Sequence, residues 1–112
     1  MKIDIITTST FDREYKRLKK KYHSLPSDLA SFEKELKSNA DLGTDLGSNL
    51  RKIRIAIKSK NKGKSGGARI ITYTLIVSIS SKTILLVTIY DKGETDTISD
   101  EGIKQIVREN GF

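Results

Sequence analysis

The sequence predicts an α+β domain in the order βααβββα. Its antiparallel-rich sheet carries a helical hairpin and a C-terminal helix packed on one face. Three observations lead there. Apolar residues recur at helical spacing over residues 11–22, 29–36 and 103–107. From residue 50 the apolar spacing drops to two and stays strand-like, with interruptions, as far as residue 90. Short polar connections between the later segments imply an antiparallel meander. The uncovered sheet face is then free for a partner. A length of 112 residues suits one domain over 1–112 with one core.

Ile3, Ile5 and Thr7 alternate with other residues and predict a short first strand. Ser9 and Thr10 offer an N-cap, and Asp12 sits where the acidic member of a capping box belongs after Ser9. Phe11, Tyr15, Leu18 and Tyr22 form one helical face, with Tyr15 and Tyr22 expected in the core. Arg13, Lys16, Arg17, Lys19, Lys20 and Lys21 form the other. After a turn at residues 22–27, Pro26 fits the first turn of a second helix, where its missing N–H is harmless. Leu29, Phe32 and Leu36 give that helix its buried stripe, and Glu33, Lys34, Glu35 and Lys37 its solvent side. Residues 38–49 read as loop.

Next, Ile53, Ile55 and Ile57 face one way, while Lys52, Arg54, Ala56 and Lys58 face the other. Arg51 shares the Ile53 side and is expected to snorkel past the core. Residues 58–67 contain only Lys, Ser, Asn and Gly and predict a mobile, solvated basic loop. Residues 68–77 and 82–90 make two further strands. Ser99 caps a last helix with the stripe Ile103, Ile106 and Val107, and Gly111 stops it.

Hydrophobic residues are 36% and aromatics 6%, so the core rests on Ile, Leu and Val. The absence of cysteine excludes disulfides and thiolate zinc sites. The opening MKIDIITTSTF lacks the apolar stretch of a signal peptide. The longest apolar run, residues 84–87, is far too short for a membrane span. A soluble cytoplasmic protein without a membrane partner is expected. The formal charge of +7 is unevenly spread. Residues 1–45 hold nine Lys/Arg and eight acids, residues 46–90 nine and none, and residues 91–112 three and six. An acid-free stretch that long suits a polyphosphate such as RNA or DNA, or an acidic protein.

His23 is the sole histidine and lies in a polar turn, so neither a transition-metal site nor a histidine-pair ribonuclease is expected. No cofactor is expected either. Residues 62–67 look superficially like a phosphate loop, yet they lead into a strand rather than a helix N-terminus. Lys, Arg and Tyr on adjacent strands remain. These suffice to cut RNA when its own 2′-OH attacks the neighbouring phosphate. Such a reaction needs a proton acceptor and positive charge on the phosphorane, and an acid near the leaving oxygen helps. Arginine matches two phosphate oxygens, and lysine can exchange protons if like charges lower its pKa.

Leu50-Arg51-Lys52-Ile53-Arg54, then Gly63-Lys64-Ser65-Gly66-Gly67-Ala68-Arg69-Ile70-Ile71 and Tyr73, resembles the RelE/HigB toxins of type II toxin–antitoxin systems, in the RelE/ParE superfamily. The run from Leu85 to Glu94, the helical opening Phe11 to Tyr22 and the loop at Asn39 to Gly43 fit the same pattern. The resemblance spans nearly the whole chain, and the glycine-rich stretch ending at Arg69 is its most distinctive part. It implies a RelE-like fold and a ribosome-dependent mRNA endonuclease silenced by a cognate antitoxin, often one with a helix-turn-helix domain. Carried over residue by residue, it assigns catalysis to Lys52, Arg54, Arg69, Tyr90 and Lys92. Lys58, Lys60, Lys62, Lys64 and Tyr73 would contact messenger or ribosomal RNA. This chain departs from the family in having no histidine near Tyr90 and Lys92. A ParE-like inhibitor of DNA gyrase and a non-catalytic RNA-binding module are the competing expectations.

Overall fold

The computed structural model describes residues 2–95 and 97–112. Strand β1 (Lys2–Thr7) leads into helices α1 (Ser9–Lys21) and α2 (Leu25–Ser38). Strands β2 (Thr44–Gly47) and β3 (Leu50–Ile55) follow, then a single 3-10 turn at Lys58–Lys60. Strands β4 (Ala68–Ser78) and β5 (Ser81–Asp91) and helix α3 (Asp100–Glu109) complete the order. The strands form one sheet, β1-β5-β4-β3-β2. β2 to β5 pair antiparallel as neighbours, and β1 joins β5 in parallel. The sheet is therefore mixed, and an α+β fold with an antiparallel meander holds.

The first helix begins one residue earlier than its capping pattern suggests. Thr8, not Ser9, is the N-cap: its Oγ1 accepts from Phe11 N at 2.9 Å and donates to Val87 O at 2.7 Å. One hydroxyl thereby satisfies a free helix donor and ties the helix to β5. Phe11 and Leu18 are buried, and Tyr15 stacks on Phe11 with ring centres 6.1 Å apart. Pro26 lies in the first turn of α2, as expected. Ser99 caps α3 by accepting from Gly102 N at 3.0 Å.

Two expectations need correction. Residues 38–49 are not all loop, because β2 lies within them and makes a fifth strand. Its four residues are too few to show a period in the sequence. Gly43 precedes it at φ +83, and a Cβ there would meet Lys52 O at 2.3 Å, so only glycine lets the chain close on β3 this tightly. Second, the helices do not share one sheet face. Phe11, Leu18, Leu25, Phe32 and Leu36 pack with Ile53, Ile55, Ile70, Ile84, Leu86 and Ile89. Ile103 and Val107 of α3 pack instead with Leu50, Ile71, Leu85, Val87 and Tyr90. The reason lies in β4 and β5, where consecutive pairs such as Ile70-Ile71 and Ile84-Leu85 are apolar on both faces. A sheet apolar on both sides needs cover on both sides.

A bulge in β5 sets the site. Ile71 pairs with Thr88 but Thr72 pairs with Leu86, leaving Val87 as the extra residue. The insertion reverses the alternation beyond it. Tyr90 consequently lies on the α3 face with Leu85, where strict alternation would have put it with Leu86.

Candidate nucleic-acid interface

Directly opposed residues in an antiparallel pair point to the same side. Arg54 opposes Arg69, and Arg69 opposes Tyr90, so the three form a row across β3, β4 and β5. Lys52 opposes Ile71, one step further along the same face. Four of the five catalytic candidates are thus brought together, but they are not equally accessible. Arg54 is exposed and Lys52 half-buried, whereas Arg69 and Tyr90 are each only 5% exposed. Tyr90 packs in the α3 cluster.

The sequence expects Arg69 to hold phosphate. In the fold its guanidinium turns back on its own loop. Nη1 donates to Lys64 O at 2.9 Å and Ala68 O at 3.3 Å, and Nη2 donates to Ser65 O at 3.1 Å. Gly67 completes this clasp, since a Cβ there would lie 2.1 Å from Ile55 O. Lys92 N donates to Gly67 O at 3.1 Å from the other side. Residues 64–69 therefore form a fastened return to the sheet. Arg69 thus ties the loop to the start of β4, with Arg54 beside it in the row.

Lys60 also departs from expectation. It is not a solvated loop residue: Nζ lies 2.6 Å from Asp91 Oδ1, with both side chains largely buried. Asp91 is 1% exposed, and it also accepts from Gly93 N at 2.9 Å and from the Tyr22 hydroxyl at 2.5 Å. Burial pushes the Asp91 carboxyl up, but the hydrogen bonds from Lys60, Tyr22 and Gly93 outweigh it and hold the pKa at about 2. Lys21 stands 3.7 Å away and reaches Glu94, which Arg17 grips with both Nη atoms. Those hydrogen bonds from Arg17 lower the Glu94 carboxyl. This network fastens α1 to the end of β5 and to the 3-10 turn, and it turns the Lys60 ammonium inward onto Asp91. Tyr22 is thus more than a core residue.

The remaining cations surround a cleft. β2 covers β3 only from Leu50 to Lys52. Beyond it, a cleft of about 530 Å³ opens between α2 and β3, bordered by Lys52, Arg54, Lys58 and Lys64. Phe32, Leu42, Ile53 and Ile55 line it with apolar surface, and Asp28, Ser31 and Glu35 stand on its helical side. Among the described residues, Lys52, Arg54, Lys58, Lys62, Lys64 and Arg69 form no ion pair. Sequence reasoning missed Asp28, which is 5% exposed. The available signal was its place on the buried stripe of α2 with Leu25, Phe32 and Leu36. Its Oδ2 accepts from Ser24 Oγ at 2.7 Å and Lys58 N at 3.1 Å, while Oδ1 has no hydrogen-bond partner among the described residues.

The other candidates lie apart. Lys62 is exposed in the loop, and Lys92 is half-buried just past β5. Tyr73 is on Arg69's side of β4, as alternation requires, but two rows away, where it borders a hollow with Leu50, Lys104 and Val107. Arg51 donates to the carbonyls of Leu42 and Gly43 and so holds the approach to β2. His23 is exposed. No group of three or more His, Cys, Asp or Glu among the described residues is placed to hold a metal ion, and no helix among them is long and apolar enough to cross a membrane. No family model matches the chain.

Proposed function

We propose that the protein is a ribosome-dependent mRNA endonuclease, the cytoplasmic toxin of a type II toxin–antitoxin pair. One observation carries the reading: four cations without ion pairs, Lys52, Arg54, Lys58 and Lys64, border a single cleft, and Arg54 also joins the row with Arg69 and Tyr90. Charge left uncompensated at one place, on a chain of net charge +7, is what a polyphosphate ligand neutralises. The resemblance to the RelE/HigB toxins supplies the reaction. The 2′-OH attacks the adjacent phosphorus, a cyclic phosphate forms and the 5′ oxygen leaves. Arg54 places its fork on the phosphorane, and the Lys52 ammonium, on the same face, adds charge and gives its proton to the leaving 5′ oxygen, while the 2′-OH proton passes to solvent. Lys58 and Lys64 hold flanking phosphates. Arg69, clamped to the loop, keeps Lys64 in place, and Tyr90 closes the far end of the row. The ribosome presents the messenger, and a cognate antitoxin, with a helix-turn-helix domain of its own, covers the basic surface.

The test is expression of the wild-type chain and of Arg54→Ala and Lys52→Ala, with growth and mRNA ends mapped on ribosomes. Wild type arrests growth and yields cut messages. Arg54→Ala lowers cleavage at least about a hundredfold, the usual scale for losing one transition-state charge partner, with an unchanged melting temperature. Full toxicity of a chain carrying both Arg54→Ala and Lys52→Ala, or arrest of wild type with DNA-damage signalling and intact mRNA, refutes the proposal. The second result is that of a gyrase inhibitor.

A further inference from the structure

The cleft between α2 and β3 is chemically two-sided. Cations border one side, and Asp28, Ser31 and Glu35 line the other, spaced three and four residues apart on α2. Between them lies the apolar surface of Phe32, Ile53 and Ile55. Carboxylates repel phosphate, so beyond the bonds that Asp28 Oδ2 makes to Ser24 and Lys58 N they point to a second kind of ligand contact. We infer that this cleft receives one unstacked base of the bound RNA and selects a base that carries an exocyclic amino group. This inference rests on the RNA-binding reading above.

Asp28 is the residue that points to a base. Its carboxylate is nearly sequestered, yet only Oδ2 is satisfied. A buried oxygen without a donor is costly, and a ligand N–H removes that cost. Because Oδ1 is shielded from solvent, a base reaches it only as neighbouring side chains rotate. Lys58 and Lys64, exposed at the border of the cleft, have long stems that allow this. Glu35 is exposed and offers a second acceptor nearer the mouth. Carboxylates accept from the amino group of cytosine, and uracil presents a carbonyl oxygen in the same place, which they repel. Single-stranded bases are read in this way once they leave the stack. The cations then meet the phosphates on either side of the inserted base.

The experiment measures binding of labelled oligocytidylate and oligouridylate, each about seven nucleotides long. Wild type prefers oligocytidylate at least about fivefold, the lower bound of one good base contact. Asp28→Asn keeps an oxygen for Ser24 and Lys58 N and sets an amide N–H where Oδ1 stands, so the preference levels or turns toward uridylate. If that variant melts early, Glu35→Gln gives the second reading, a reduced preference with the fold intact. Equal affinity for the two oligomers in wild type overturns the inference, as does a cytidylate preference untouched by both substitutions. Failure here is separable from failure of the nuclease reading. Messages cut on ribosomes by a chain without base preference leave the nuclease and remove the base pocket. An Asp28-dependent preference without cleavage does the reverse.

Discussion

A lysine in a run of lysines need not share its neighbours' role, and Lys60 is the case in point. Lys58 and Lys62 are exposed, but Lys60 reaches inward to Asp91. The sign of the resulting pH dependence follows from the depressed Asp91 carboxyl. A carboxylate near pKa 3.9 when unfolded and about 2 when folded stabilises the protein above the higher value, and the contribution fades as pH falls toward 2. Replacing Lys60 by Met keeps the stem and removes the charge, leaving Asp91 short of its nearest cation. The expected loss at neutral pH is roughly 3 kcal/mol by urea unfolding, the low end for breaking a buried pair, because Tyr22 and Gly93 still bond the carboxylate. The gap between wild type and variant narrows in acid, as the carboxyl is protonated in both. A gap of equal size at pH 7 and near pH 2 would show that the pair contributes nothing specific.

At the scale of elements, the stretch from Lys64 to Arg69 is the most informative. Its glycines read as part of a mobile basic loop, and its arginine, by the family resemblance, as a phosphate-binding residue. They act in the fold as a close crossing at Gly67 and a carbonyl clasp at Arg69. Arg69→Ala accordingly loosens the loop before it affects RNA. Hydrogen exchange at Ser65–Gly67 and tryptic cleavage at Lys62 and Lys64 are expected to rise, with about 1.5–3 kcal/mol lost from overall stability as part-buried carbonyls lose a charged donor. Arg69→Lys restores little, since one ammonium cannot span two carbonyl directions. If Arg69→Ala keeps the loop protected and only weakens phosphate contact, the residue acts on RNA directly. The other elements were legible wherever one period ran long enough. Phe11 to Tyr22 and Ile103 to Val107 gave their helices, and Ile53 to Ile57 gave its strand. β2 left no signal in four residues.

For the molecule as a whole, the relevant quantity is charge left unpaired. Arg51 and Lys60 are spent on internal partners, and the cleft keeps Lys52, Arg54, Lys58 and Lys64. Four phosphate contacts on single-stranded RNA give a slope of log affinity against log salt of about −3. Titration of an oligoribonucleotide at several salt concentrations checks this. A slope near zero would mean the cations do not meet phosphates, and one twice as steep would bring in the basic face of α1.

The sequence by itself determined the α+β class, the helical faces, the meander from β3 to β5 and the placing of all the cleft cations in one acid-free segment. Each of these follows from local periodicity or composition, which the chain carries wherever it folds. Only the tertiary structure decided which cations stay uncompensated, because their partners lie far away in sequence, as Asp91 does from Lys60. It alone placed α3 opposite the other helices, since runs apolar on both sides do not say which helix covers which side. It alone set Tyr90 beside Arg69, through one extra residue at Val87 that reverses the strand's alternation. Asp28, a carboxylate on a buried stripe, becomes intelligible only when α2 meets β3 and a cleft lies between them.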